Sequence, residues 1–331
     1  MRSFCALVLL VIFCFSASTT RADQPSPQPV SLADAKLDFE KLPAKSERQY
    51  TLRYHIPDIG ITEWGVLTLK HVVEADRVIL HELVTPANRP VPQQAGIIEQ
   101  TLIARRDGLL SPIEWTFVRK LEYAVKTMEY EGRQLPVSVF QTESEIPENL
   151  RGKTVVISST HARFQNKKLH LTGTDSTGKS IPEVELPYHD DSLTPAAFLR
   201  ITPLLAADPS KKYLVKHIRT SQANDLYHEM SDEDEIGPLQ LQYDGPETIR
   251  IGEQVHECHR FKLSPISKDS EIKRLIVWKA WIDAQGVLQK FEIVQASGPR
   301  TTVIGTLGLN PGPIEGGDGY LKFMKRMENF K

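Results

Sequence analysis

The sequence lacks the short motifs that identify most enzyme classes. It contains no Gly-x-Ser-x-Gly, P-loop, Gly-x-Gly-x-x-Gly, His-Glu-x-x-His or Cys-x-x-Cys pattern. These absences leave no local signature of a serine hydrolase, a nucleotide-binding site, a zinc protease or a thiol redox site. No cofactor is therefore predicted, and an enzyme is less favoured than a binding protein, although distant residues could still assemble a catalytic site.

The chain also has few cysteines and a small net charge. The chain of 331 residues has three cysteines, and Cys5 and Cys14 lie within its first 22 residues. The remaining one, Cys258, has no partner for an internal disulfide. The 40 Lys and Arg residues nearly balance the 42 Asp and Glu residues. Such a chain exerts no long-range attraction on nucleic acid, so no nucleic-acid partner is predicted.

Long apolar runs are confined to the N-terminus. A basic start at Arg2 precedes the apolar run from Ala6 to Phe15, and small polar residues follow it. This run is shorter than the ~20 residues that a membrane-spanning helix needs. The pattern is typical of a secretory signal peptide. We predict that residues 1–22 are removed and that the mature protein, starting near Asp23, is periplasmic or extracellular.

The rest of the chain divides into three parts. Residues 23–47 open with three closely spaced prolines, which hold the backbone extended, and are interpreted as a spacer. Residues 48–308 are predicted to form one antiparallel β domain, because no linker-like composition interrupts them. Residues 309–331 are predicted to be a flexible Gly/Pro linker followed by a basic amphipathic tail.

The tail carries Lys322, Lys325 and Arg326 beside apolar residues at helical spacing. A basic amphipathic helix can lie on an anionic membrane surface. A helix docked on the body, or a frayed tail, is the alternative that we favour.

The predicted domain alternates apolar and polar residues from Tyr50 to Ile304, which is typical of strands with one buried face. We predict a mainly β fold: one large, curved antiparallel sheet, an open or partly closed barrel, with one or two short helices. Three strand pairs are predicted, and they are Leu109–Val118 with Leu121–Tyr130, Lys167–Thr174 with Ser180–Leu186, and Trp278–Asp283 with Val287–Gln295.

One helix is predicted from Thr194 to Leu205. Threonine suits an N-cap, and Pro195 suits the first helical turn. The interior of the curved sheet needs bulky side chains, and the four tryptophans are candidates: Trp64, Trp115, Trp278 and Trp281. In a regular strand Trp278 and Trp281 should face opposite sides.

His189, Asp190 and Asp191 directly precede the predicted helix and form the candidate catalytic segment. A histidine beside two carboxylates can perform acid–base chemistry or bind a metal. We favour the alternative in which the short polar side chains form a turn and cap the helix.

The densest group of potential metal ligands is His256-Glu257-Cys258-His259. It lies in a predicted strand, where His256 and Cys258 share one face and the other two residues share the opposite face. At most two of them could bind the same ion, whereas a zinc site needs three or four ligands. No metal site is predicted, and His256 and Cys258 remain the candidate ligands.

Four segments follow one another in a recognisable order. They are Tyr50–Tyr54 with Gly60 and Trp64, Asp191–Arg200, Glu247–Leu263, and Trp278–Ile293. In order and pattern they resemble the DUF3108 family of exported bacterial proteins, whose function is unknown, over roughly residues 48–308. The resemblance implies a β-rich envelope domain with a strongly curved sheet, and it supplies no catalytic residues.

Three functions are compatible with these observations. The leading hypothesis is an envelope protein that binds or places a hydrophobic or polymeric envelope component, because a curved sheet offers a concave face to a ligand. The alternatives are a secreted hydrolase with a dispersed site near His189, Asp190 and Asp191, or a structural interaction module. A cavity lined by apolar residues would favour the first, and a filled core would favour the last.

Overall fold

A computed structural model describes residues 28–35, 37–56, 60–86, 96–125, 127–130, 133–136, 142–174, 177–189, 191–205, 207–219, 235–236, 238–266, 277–294 and 302–309. Most of this part of the chain is β-strand, and one sheet contains fifteen strands. The predicted signal peptide and the basic tail with Lys322, Lys325 and Arg326 lie outside the described residues.

The strands, numbered in chain order, are β1 (Val30–Ser31), β2 (Lys45–Ile56), β3 (Gly60–Val73), β4 (Arg77–Pro86), β5 (Gly96–Arg105), β6 (Pro112–Glu122), β7 (Thr127–Tyr130), β8 (Arg133–Pro136), β9 (Thr154–Gln165), β10 (Lys168–Thr174), β11 (Ser180–Pro187), β12 (Ser192–Leu193), β13 (Lys212–Val215), β14 (His217–Arg219), β15 (Glu235–Ile236), β16 (Leu239–Ile251), β17 (Gln254–Pro265), β18 (Trp278–Asp283), β19 (Leu288–Val294) and β20 (Thr302–Leu307). The described helical segments are α1 (Pro195–Ile201) and five short 3₁₀ turns, Leu32–Asp34, Phe39–Lys41, Glu143–Glu145, Glu148–Leu150 and Thr202–Leu204.

The large sheet has the order β1-β13-β16-β17-β18-β19-β20-β2-β3-β4-β5-β6-β9-β10-β11. Its pairs are antiparallel apart from β1 with β13. It is not closed, because β1 and β11 lie at opposite edges. Two small sheets, β12-β14-β15 and β7-β8, accompany it. The predicted fold class, a mainly β protein built on one large open sheet with a short helix, is confirmed.

Two of the three predicted hairpins are confirmed. β10 pairs with β11, and β18 pairs with β19 around a turn in which Gly286 has a φ of 74°. The left-handed conformation at that position costs glycine little, whereas most other residues would be strained.

The strand pair predicted from Leu109–Val118 and Leu121–Tyr130 is wrong. Residues Pro112–Glu122 form one continuous strand, β6, which pairs with β5 on one side and β9 on the other. The residues from Val118 to Leu121 include no Gly, Pro, Asn or Asp, the types that favour a tight turn. The chain therefore continues straight through the predicted turn.

The predicted short helix is confirmed as α1 and the 3₁₀ turn that follows it. The Thr194 hydroxyl accepts a hydrogen bond from the backbone N–H of Ala197 at 3.1 Å, and Pro195 opens the helix. Residues 197–201 are all buried, so the helix is enclosed on every side. Within the described ranges, no helix is long and apolar enough to cross a membrane.

The sheet curves around α1. One apolar cluster unites inward-facing residues of β2–β5 with those of β16–β19, so it extends across strands as distant in the strand order as β5 and β16. Phe198 of α1 contacts Trp278 of β18, with ring centroids 5.4 Å apart. On the other side, Arg200 donates a hydrogen bond to the Lys70 carbonyl of β3 at 3.3 Å. The helix thus fills the space that an open, curved sheet would otherwise leave empty.

The tryptophans divide between the two faces of the sheet. Trp278 belongs to the main core, whereas Trp281 packs against Ile249 and Cys258 in a small separate cluster. They therefore face opposite sides, as predicted. Trp115 is half-buried between the main core and a second cluster at the β6–β11 end of the sheet. Nothing is described of the Trp64 side chain.

The interpretation of residues 23–47 as a spacer is corrected from residue 28 onwards. Leu32 and Phe39 are buried in the main core, and β1 pairs with β13. The fit is close: a Cβ on Gly108 would lie 1.8 Å from the Leu32 carbonyl oxygen. The apolar residues after the prolines therefore anchor this segment to the domain.

Candidate functional site

The candidate catalytic segment forms a turn before α1. The His189 side chain is exposed, and its carbonyl accepts a hydrogen bond from Ser192 N at 3.1 Å. The Asp191 carboxylate forms an ion pair with Lys216 at 3.1 Å. Asp190 lies outside the described residues. Asp191 thus joins the turn to the residue between β13 and β14.

Cys258 is a core residue, and His256 is its half-buried neighbour on the same face of β17. The thiol is 3% exposed and packs against Ile249 and Trp281. Burial raises the Cys258 pKa to about 11, and the nearby carboxylates of Asp283 and Glu257 add to the effect. Such a thiol is a poor nucleophile near neutral pH. The described residues contain no group of three or more His, Cys, Asp or Glu that could hold a metal ion.

Polar residues occupy several inward-facing positions of the sheet, which sequence reasoning did not identify. On β2 and β3, Ser46 pairs with His71, and Arg48 pairs with Leu69. Leu69 in turn pairs with Glu82 on β4, which pairs with Gln100 on β5. Because directly paired residues share a face, these side chains all point toward α1, which contributes Arg200. Two cavities lie among them.

The first, called here the apolar cavity, lies between the start of α1 and strands β4, β5, β6 and β9. It has a volume of about 70 Å³. Its lining is mainly aliphatic and aromatic, and comprises Leu80, Glu82, Gln100, Leu102, Pro112, Trp115, Phe164, Tyr188, Thr194, Pro195 and Ala196. The apolar cavity lies between the main core and the second apolar cluster, and Trp115 contacts both.

Glu82 and Gln100 are the polar pair in this lining. The Gln100 amide donates a hydrogen bond to Glu82 Oε2. The other carboxyl oxygen of Glu82 and the amide oxygen of Gln100 are buried, and no described residue is their partner. Burial raises the Glu82 pKa, against the attraction of Arg200 and the hydrogen bond from Gln100. The apolar cavity therefore offers two unpaired oxygen atoms beside apolar walls.

The second, called here the basic cavity, lies at the other side of α1 and has a volume of about 310 Å³. Its charged lining residues are Lys41, Arg48 and Arg200, with no carboxylate among them. The full lining is Lys41, Leu42, Pro43, Ser46, Arg48, Tyr50, Leu69, His71, Leu199, Arg200, Pro203, Leu204, Ala284, Gln285, Gly286 and Leu288.

Arg200 is the most deeply buried charge of the basic cavity. Its side chain is 6% exposed, and its Nε has no hydrogen-bond partner among the described residues. Burial lowers the Arg200 pKa, and the nearby carboxyl group of Glu82 opposes this effect. An arginine nevertheless stays protonated at physiological pH, so the cavity holds a buried positive charge.

The neutral groups of the basic cavity already have partners. The His71 ring lies 3.0 Å through Nε2 from the Pro43 carbonyl and 2.9 Å through Nδ1 from the Ser46 hydroxyl. A carbonyl can only accept, so Nε2 carries the hydrogen and Ser46 donates to Nδ1. Burial, Arg200 and Arg48 lower the His71 pKa. The Tyr50 hydroxyl donates to the Leu288 carbonyl at 3.1 Å.

No model of a known protein family matches the chain, and no curated protein matches it. The chain is similar to the solved structure of a beta-barrel-like protein of a domain of unknown function, DUF1849, from Brucella abortus. The two share 9% sequence identity with a TM-score of 0.39, and the match covers 79% of this chain and 94% of that one. These comparisons do not test the resemblance to the DUF3108 family, which stays a prediction.

Proposed function

We propose that the protein is an exported, non-enzymatic component of the cell envelope that binds a largely apolar molecule in the apolar cavity. The observation that carries the proposal is the combination of apolar walls with two unpaired buried oxygens, those of Glu82 and Gln100. Ligand sites in proteins have this composition, in which apolar walls supply affinity and a few polar groups orient the ligand.

The chemistry of the cavity defines the ligand. Leu80, Leu102 and Trp115 give a surface whose removal from water favours binding by roughly 25 cal/mol per Å² of apolar area. The unpaired oxygens of Glu82 and Gln100 require a hydrogen-bond donor, and each costs about 1–3 kcal/mol while it has none. A ligand with an alkyl part and a hydroxyl or amide N–H meets both requirements. Because the cavity is small, at about 70 Å³, we expect a short alkyl segment rather than a fused ring system to enter it.

The envelope location rests on the sequence of residues 1–22. N-terminal sequencing of the protein from an envelope fraction should give a chain that starts near Asp23. A cytosolic protein that retains Met1 would contradict export.

The ligand can be sought directly. Protein purified from its own envelope should carry a co-purifying lipid-like molecule that native mass spectrometry detects as a discrete mass increment. The purified protein should also bind 1-octanol, an alkyl chain with a single hydroxyl donor, as measured by isothermal titration calorimetry.

A variant that fills the cavity makes the test specific. Ala196 is half-buried in the cavity lining, whereas Ala207 is exposed beyond α1. Ala196→Phe should weaken 1-octanol binding at least tenfold, and the matched Ala207→Phe variant should bind as the wild type does. Equal binding by both variants, or no binding by the wild type, would contradict the proposal.

A further inference from the structure

The basic cavity contains three positive charges and no carboxylate in its lining, a composition that the apolar cavity does not share. We propose that it is a second binding site, which takes an oxyanion of the phosphate class held by the guanidinium groups of Arg48 and Arg200. The site is independent of the apolar ligand, because the two cavities have separate linings.

The positive charge of Arg200 has no ion-pair partner among the described residues. A buried charge is costly unless an opposite charge pairs with it. No carboxylate of the described residues forms an ion pair with Arg200. Glu82 attracts it, yet the Glu82 carboxyl group is bound to Gln100 and faces the apolar cavity. A bound anion would supply the missing counter-charge.

Hydrogen-bond donors exceed their partners in the basic cavity. Ser46, Tyr50 and His71 already donate to groups of the protein. Arg200 donates to the Lys70 carbonyl and Arg48 bonds to Tyr50, but each guanidinium group has five N–H donors, so most of them remain available. An oxyanion, which only accepts hydrogen bonds, fits this excess of donors better than a neutral sugar does.

The shape of the guanidinium group also suits an oxyanion. A guanidinium group presents its N–H donors in a planar fork that matches the oxygens of phosphate or carboxylate. Two such forks and an amino group at the rim suit a doubly charged group. That rim residue, Lys41, is largely exposed and lies 3.6 Å from the Asp38 carboxylate, so it contributes less than the arginines. At about 310 Å³ the cavity has room for a phosphate with an attached group.

The test uses inorganic phosphate and the full mature chain. Isothermal titration calorimetry at constant ionic strength, with chloride as the control anion, should show saturable phosphate binding. Arg48→Met should weaken this binding at least tenfold. Arg250 is an exposed arginine on β16, and Arg250→Met, which removes the same charge outside the cavity, should leave it unchanged.

A measurement on the wild type covers the case in which Arg48→Met fails to fold. Phenylglyoxal modifies accessible guanidinium groups, and peptide mass spectrometry reports the rate at each position. Phosphate should slow the modification of Arg48 and leave that of Arg250 unaffected. Equal rates with and without phosphate, or full binding by a folded Arg48→Met variant, would overturn the proposal.

Two further ligands identify where the phosphate group comes from. Dihexanoyl phosphatidic acid and dihexanoyl phosphatidylcholine share acyl chains but differ in the charge of the headgroup. Tighter binding of the phosphatidic acid than of inorganic phosphate indicates a lipid headgroup, and equal binding indicates a soluble phosphate compound. Absence of binding by both phosphate and phosphatidic acid overturns the proposal. Because inorganic phosphate has no apolar part, this result does not depend on the apolar cavity.

Discussion

Glu82 is the residue whose environment departs most from the usual surroundings of a carboxylate. It is 8% exposed on the inner face of β4, and burial raises its pKa. The protonated form is therefore favoured in the folded protein relative to the unfolded chain. That preference stabilises the fold below the ordinary glutamate pKa, and the stabilisation is lost as the pH rises through the raised value.

Glu82→Gln should remove this dependence on pH. An amide keeps the size of the carboxyl group and does not ionise. As the pH rises above the ordinary glutamate pKa of about 4.3, the free energy of unfolding of the variant should therefore increase relative to that of the wild type. Urea unfolding over a series of pH values measures this difference. Glu253→Gln, at an exposed turn, is the matched control. A constant difference between Glu82→Gln and the wild type across the series would contradict the assignment.

The role of Cys258 as a buried core residue can also be tested by substitution. Cys258→Ser places a hydroxyl among Ile249 and Trp281, and an unpaired buried polar group costs about 1–3 kcal/mol. Urea unfolding should show a loss of that size, with the metal content unchanged. A stoichiometric loss of zinc in the variant would instead show that Cys258 is a ligand. The native thiol should also react slowly with iodoacetamide at pH 8, because its pKa is raised to about 11.

At the scale of elements, α1 is too short to be stable by itself. A helix of seven residues is well below the 12–15 residues at which isolated helices become marginally stable. Its cap at Thr194 and its enclosure by the sheet hold it in place. The helix separates the linings of the two cavities, since Pro195 and Ala196 face one and Leu199 and Arg200 face the other.

The packing of β19 on β20 depends on a glycine at position 305. A Cβ at Gly305 would lie 2.1 Å from the Phe291 ring, so glycine is required for the ring to lie against β20. Gly305→Ala should lower the free energy of unfolding by about 1–3 kcal/mol, the range seen for overpacked cores. In a double-mutant cycle, the smaller side chain of Phe291→Leu should relieve part of this loss. Strictly additive effects would show that the two residues do not interact.

At the scale of the whole molecule, the N-terminal segment belongs to the packed body. Leu32 is fully buried and Phe39 is 4% exposed. Limited proteolysis of the mature chain should therefore leave one resistant core whose N-terminus precedes Leu32, while the C-terminal end is trimmed first. Mass spectrometry of the products measures both ends. Two stable fragments that separate near residues 188–210 would contradict a single domain.

Some of the polar residues that face the interior could be predicted from the sequence, and others could not. On β2, Arg48 has the same parity as Tyr50 and Leu52, so the alternation already implies that it faces inward. On β4 both parities contain apolar residues, Val78 and Leu80 on one face and Ile79 and Leu83 on the other. The alternation alone therefore could not show that Glu82 is buried.

The remaining parts of the sites depend on contacts between distant parts of the chain. Arg200 reaches the Lys70 carbonyl across 130 positions of sequence, and Tyr50 reaches the Leu288 carbonyl across 238. Contacts between residues so far apart in the sequence leave no periodic pattern within a strand or a helix. The cavities that these residues line therefore could not be predicted.

Local sequence patterns were sufficient to predict the β class, the short helix with its threonine cap, the hairpins at β10–β11 and β18–β19, and the opposite faces of Trp278 and Trp281. Each of these depends on local backbone preferences and on the two-residue period of a strand. Tertiary structure alone decided the pairing of β2 with β20, the burial of Leu32 and Phe39, and the two cavities beside α1. The reason is physical: these features arise where the curved sheet brings remote segments together around a helix, and the packing energy that selects them belongs to no single segment of the chain.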